Sequence, residues 1–374
     1  MDAVVAVTYG RAAKFLRQAT THKSTHIASL NPPLFLLTAS AAMLCAFTVT
    51  PARAVTLAFV QNFGSSGSGS GQFSAPFDVT VDSEGSVWVA DQSNNRIDRF
   101  NPSNFAGTFT TFGSLGSGSG QFNSPYGVAV DSAGKVYVAD NNNDRIERFD
   151  PANFAGTFTS FGSSGSGSGK FNNPIGVAVD SAGKVYVGDF VNRRIDRFNP
   201  SNFAGTFTTF GSSGFGSGQF NGPEGVAVDS AGNVYVADPF NNRIVSFNPA
   251  NFAGTFTAFG TQGSGSGQFD TPSDVAVDGA GNIYVADFWN HRIASFNPSN
   301  FAGTFTTFGS DGSGNGQFIN PRGVIVDSAG NVYVADQAAN RIVELTGAAA
   351  APEPTSAALL LSGTAFLALR RRRG

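Results

Sequence analysis

Asp91, Asp140, Asp189, Asp238, Asp287 and Asp336 recur every 49 residues without slippage, and Arg96, Arg145, Arg194, Arg243, Arg292 and Arg341 follow in step. Six copies without an insertion or deletion mean one supersecondary unit repeated, because an unrelated set of elements would not hold a common spacing. One copy, Pro125 to Gly162, shows its content. Gly127 to Asp131 alternates apolar and small residues and meets a turn at Ser132, Ala133 and Gly134. Val136 to Asp140 alternates again, Arg145 to Phe149 follows, and Thr157 to Phe161 closes the unit. Four short segments bounded by Gly, Asn, Asp and Pro predict a four-stranded antiparallel sheet, and no segment carries a helical period.

These residues resemble the NHL repeat: Pro-x-Gly-Val-Ala-Val-Asp, then Gly-Asn/Lys-Val-Tyr-Val-Ala-Asp, then Asn-x-Arg-Ile, over about 280 residues. The resemblance implies an all-β fold, a six-bladed β-propeller with the first strand of each blade lining a central channel. The sixth copy stops after its third strand, Arg341 to Leu345, and an orphan strand, Leu57 to Phe63, precedes the first. The orphan ends in Asn-Phe-Gly as the fourth strands end in Phe-Gly, so it is expected to complete the sixth blade and remove the exposed edges.

Three segments are expected: 1–54 as an export signal, 55–347 as the propeller, and 348–374 as a sorting tail. Arg11, Lys14, Arg17 and Lys23 precede an apolar run from Leu34 to Val49 and then Ala52, Arg53 and Ala54, the order of a secretory signal cleaved after Ala54. At the other end Pro352, Glu353 and Pro354 precede an apolar stretch, 355–369, and four arginines. This end resembles the PEP-CTERM tail. The resemblance implies an exosortase-type processing enzyme as partner, a membrane contact through 355–369 before processing, and a destination at the surface, outer membrane or polysaccharide matrix of a Gram-negative-type bacterium. The arginines agree with that topology, since a basic cluster beside an apolar segment stays cytoplasmic.

Inventory then removes chemistries. Cys45, the only cysteine, lies in the signal, which excludes disulfides and thiolate catalysis from the mature body. His22 and His26 leave with it, and His291 alone supports neither a histidine metal site nor a triad. The Asp-Ser-Ala-Gly-Lys turn at 131–135 lacks the alternating oxygens of a calcium loop. The Gly-Ser runs, such as 113–120, have no following helix and no Lys-Ser/Thr to bind phosphate, and read as flexible connections. The nine basic and two acidic residues of the ends, taken from 23 and 26, leave 14 and 24 in the body. That acidic balance disfavours nucleic acid. No cofactor, metal or catalytic residue is expected.

Asp and Arg of the repeated pair occur in every copy, so they read as turn-fixing ion pairs, not as a catalytic constellation. Function in near-identical blades belongs where they differ. The turn after the second strand holds Asn-rich residues in copies one and two, but Phe190 and Arg193, then Phe240, then Phe288, Trp289 and His291 in copies three to five. The residue after the strand-opening proline varies as Phe77, Tyr126, Ile175, Glu224, Ser273 and Arg322. In propellers these turns share one face around the channel mouth. Phe190, Arg193, Phe240, Phe288, Trp289, His291, Tyr126 and Arg322 are therefore candidate ligand contacts, with padding between blades as the plainer role for the aromatic rings. The expected function is an exported scaffold binding a polysaccharide or a protein. The alternative is an extracellular lyase or lactonase with a metal at the channel mouth.

Overall fold

The structure, a computed structural model, describes residues 52–349. Residues 1–51 of the expected signal and 350–374 of the expected sorting tail lie outside the described residues. Among the described residues no helix is long and apolar enough to cross a membrane.

Six four-stranded sheets follow the 49-residue period, with three two-stranded parallel ribbons between some of them. In the second repeat Pro125–Val130, Val136–Asp140, Arg145–Phe149 and Thr159–Phe161 pair in sequence order, antiparallel throughout. Gly134, at φ 76°, turns the chain between the first two, while the Asp131 carboxylate accepts the N–H groups of Ala133 and Lys135 at 2.9 Å. The turn is local, which is why each repeat builds it independently. The second strand is buried at every residue from Val136 to Asp140, because neighbouring sheets cover both of its faces.

The first strands neighbour one another in the order of the repeats, and the strand of the sixth, Pro321–Val326, returns to that of the first, Pro76–Val81. Apolar cores form between successive sheets. Tyr137, Ala139 and Ile146 of repeat two meet Phe171, Val177, Val185 and Phe198 of repeat three. Tyr333, Ala335 and Ile342 of repeat six meet Phe73, Val79, Val87 and Phe100 of repeat one in the same manner, so the junction of the ends has a core like the others. Closure is made by Val55–Phe63, which pairs antiparallel with Arg341–Ala349 as the fourth strand of the sixth sheet. Both strands extend beyond the bounds expected from sequence, and their outermost pair is Val55 with Ala349.

Two expectations are corrected. Helical structure is present: between the third and fourth strands of repeat one, Pro102–Asn104 forms a 3-10 turn and Phe105–Thr108 a single α-helical turn. Asn101 Oδ1 accepts the Ser103 N–H at 2.9 Å, and the turn presents Phe105 edge-on to Phe100 at 4.8 Å between ring centroids. One turn is too short to show a 3.6-residue period, although Asn-Pro is a known opening signal. The Gly-Ser runs are also not flexible connections. Arg96 donates to the carbonyls of Ser68 at 2.6 Å and Gln72 at 2.7 Å, Gln72 Oε1 accepts from Gly69 N–H at 2.9 Å, and Gly67 N–H bonds Phe73 O at 3.0 Å. Each run is folded onto the arginine of its own repeat.

Candidate functional site

The repeated Asp and Arg side chains meet at the turn between second and third strands. Arg Nε lies 3.0 Å from Asp91 in the first pair, 2.8 Å from Asp140, 3.1 Å from Asp189, 2.9 Å from Asp238, 2.7 Å from Asp287 and 2.9 Å from Asp336. Each Asp is fully buried, and its other oxygen accepts a backbone N–H from the loop before the first strand, as Asp140 does from Asn123 at 2.7 Å. One pair therefore fastens the loop, the turn and two strands of its repeat. Burial pushes these carboxyls up, to about 6 at Asp336, against the pull of their arginines.

The last residue of that turn has a left-handed backbone in every repeat: Asn95, Asp144, Arg193, Asn242, His291 and Asn340, with φ between 52° and 55°. Its side chain links one repeat to the next. Asn95 Oδ1 accepts the N–H of Ser124 at 2.9 Å, Asp144 that of Asn173 at 2.7 Å, and Asn340 that of Ala75 at 2.8 Å. His291 does the same through Nδ1 to Asn320 at 3.4 Å, and Arg193 donates to Ser213 Oγ at 2.9 Å. Arg193 and His291 thus bond from one repeat to the next and are not among the lining residues of the cleft described next.

The other candidates converge. A cleft of about 430 Å³ opens at the mouth of the ring, walled by Phe190, Phe240, Phe288, Trp289 and Tyr126, with Arg322 among its lining residues. Phe190 and Phe240 meet edge-on with centroids 5.8 Å apart. Gly222 stands where a Cβ would come within 2.9 Å of both rings, so the aromatic wall requires glycine there. Phe240 and Trp289 are 54% and 57% exposed, whereas Phe288 is 7% exposed and packs under Arg322. Arg322 bonds Glu224 across two repeats at 3.0 Å, with its guanidinium between Phe77 at 5.0 Å and Phe288 at 4.1 Å. Phe77 in turn stacks on Tyr126 at 4.1 Å. Burial raises the Glu224 carboxyl to about 7, with Arg322 opposing. Asn141, Asn173, Ile175 and Thr271 complete the lining and were not among the candidates. Asn141 sat in an Asn-rich turn without contrast, and nothing marks Asn173 or Thr271 except the position before proline. Ser273 instead turns away, donating to the Arg322 carbonyl at 2.8 Å.

Beneath this cleft the channel narrows to about 10 Å³ between Asp78, Asp274 and a set of glycines, then widens to about 240 Å³ lined by the first strands. Asp78 accepts from its own neighbour Val79 and from Val128 of the next repeat at 2.9 Å, and Asp274 accepts from Val324 at 2.7 Å. Among the described residues no group of three or more acidic, His or Cys side chains is placed to hold a metal ion.

The NHL repeat profile matches residues 122–149, 171–198, 220–247 and 269–296. A segment of 43 residues is 54% identical to E3 ubiquitin-protein ligase TRIM71 of Rattus norvegicus, covering 12% of this chain and only 5% of that protein. A Bacteroides thetaiotaomicron protein of unknown function superposes with a TM-score of 0.60 at 18% identity, over 79% of this chain and 76% of its own. Virginiamycin B lyase from Staphylococcus aureus gives 0.52 at 15% identity, over 78% and 99% of the two chains. A chain of a nidogen/laminin complex gives 0.52 at 18%, over 68% and 86%. At these identities the structures speak to fold alone. Together with the six sheets, they make this chain a β-propeller that carries NHL repeats.

Proposed function

We propose that the chain is a six-bladed propeller, exported and held at the cell surface or in the extracellular matrix, that binds a polysaccharide or protein partner through the cleft of its loop face. The observation that carries this reading is the cleft itself, a concave site with exposed aromatic rings above a single ion pair. Glu224 bonds Arg322 and Asn141 donates to the Pro174 carbonyl, an arrangement suited to holding a ligand and not to attacking one. The ends support the location. Arg341–Ala349 starts at the turn beside the cleft and runs to the opposite side, where Gly347 N–H bonds Gly330 O at 3.0 Å. The proposed tail, a membrane segment at 355–369 processed by an exosortase at Pro352 to Pro354, follows this strand in sequence.

The full chain, applied to glycan and peptide arrays beside a Phe240→Ala/Trp289→Ala variant, tests this. Both rings are exposed, so the variant keeps its fold. Binding by the chain and a loss of at least tenfold in the variant is expected. No ligand on either array, or breakdown of a glycan by the unaltered chain, would remove the proposal.

A further inference from the structure

We infer that the cleft, if it is a binding site as proposed above, takes a neutral sugar ring, with one C–H face on the aromatic wall and two adjacent hydroxyls on Glu224 and Arg322. Arg322 is oriented before any ligand arrives. Its Cζ lies 5.0 Å from the Phe77 ring and 4.1 Å from the Phe288 ring, Nε donates to Gln337 at 3.4 Å and Nη1 to Glu224 Oε2 at 3.0 Å. Its Nη2 donates to no acceptor, and Glu224 Oε1 accepts from no donor, among the described residues. Both residues line the cleft, so it holds a donor and an acceptor without a partner among the described residues. A hydroxyl is both, so of two neighbouring hydroxyls one donates to Glu224 Oε1 and the other accepts from Arg322 Nη2.

Charge selects further. The pair sets opposite charges side by side, so a uronate or phosphate that approaches Arg322 also meets Glu224, and an ammonium meets the guanidinium. The apolar face of a sugar ring suits the rim, where Trp289 and Phe240 stand half-exposed beside Phe190. A cleft of about 430 Å³ lies within the range of small-ligand sites, and it holds a short stretch of a chain, not a folded partner.

Trp289 reports on occupancy, since the only other tryptophan, Trp88, is 1% exposed and packs between sheets. Titrating the full chain with neutral gluco- and manno-oligosaccharides should change Trp289 fluorescence. Oligoglucuronate should bind at least tenfold more weakly. Glu224→Gln/Arg322→Gln, which removes both charges, should lose tenfold or more by calorimetry. Trp289→Ala, at an exposed position, should lose a similar factor even if the double variant folds poorly. Tighter binding of oligoglucuronate, or full affinity in both variants, overturns the inference while the binding reading stands. Binding of peptides alone overturns the sugar class only, and the absence of any ligand in either class overturns both.

Discussion

At the narrowest level of the channel four of six equivalent positions hold glycine, and Asp78 and Asp274 hold the other two. Each carboxylate staples its strand to the next through backbone N–H groups. The staple has an electrostatic cost, because burial raises Asp78 from 3.8 to about 7 and, with the charges of Asp78 and Glu224, raises Asp274 well above the usual carboxylate range. Between pH 4 and 7 the folded protein keeps protons that the unfolded chain has released, so stability falls as pH rises through that window. Asp78→Asn cannot ionise and gives up one of the two backbone acceptors, so it should lose less stability than the parent between pH 4 and pH 8, by on the order of 2 kcal/mol. Calorimetry across that range decides it: parallel profiles for the two proteins would show that Asp78 is not the group responsible. In the sequence these aspartates are visible only as two departures from Pro-x-Gly. Their pairing across the channel is not, since 196 residues of chain separate them.

The third strand shows a similar contrast at the level of an element. Its buried centre holds Asp98, Glu147 and Asp196 in the first three repeats but Val245, Ala294 and Val343 in the last three. The acids share an arginine already held by another aspartate: Arg96 Nε lies 3.0 Å from both Asp91 and Asp98. Burial and the neighbouring aspartate push the Asp98 and Asp196 carboxyls up, to about 9, against the pull of their arginines. The valines of repeats four and six show that the strand accepts a branched apolar residue there. Asp98→Val and Asp196→Val should each stabilise the fold by about 1–3 kcal/mol in urea unfolding at pH 7. A loss of stability would mean that the second carboxylate is needed to hold the arginine. The strands themselves were legible, because alternation and turn residues act over a few positions. The one-turn helices were not: Phe105 and Phe109 take their places because Phe100 and Phe73 lie ready to receive them, a contact that no periodicity encodes.

For the whole molecule, closure is the feature on which cooperativity rests. Val55–Phe63 supplies the only strand pairing between the two ends of the described chain, and Phe63 enters the core shared by repeats six and one. Deleting 55–63 exposes the edge of Arg341–Ala349 and opens that core, so the truncated protein should melt at least 10 °C lower and over a broader range. A sharp transition at the original temperature, followed by circular dichroism, would show that the ring holds without it. The sequence by itself determined the 49-residue unit, its four strands, the six Asp–Arg pairs and the strand that joins the ends, because each depends on residues near one another or on a pattern repeated six times. The tertiary structure alone decided that Glu224 and Arg322 meet across two repeats, that Phe190 and Phe240 close over Gly222, and that Arg193 and His291 turn to the seams between repeats. Those outcomes depend on how far the closed ring turns each sheet toward its neighbours, a geometry set by packing among all six repeats and carried by no single one of them.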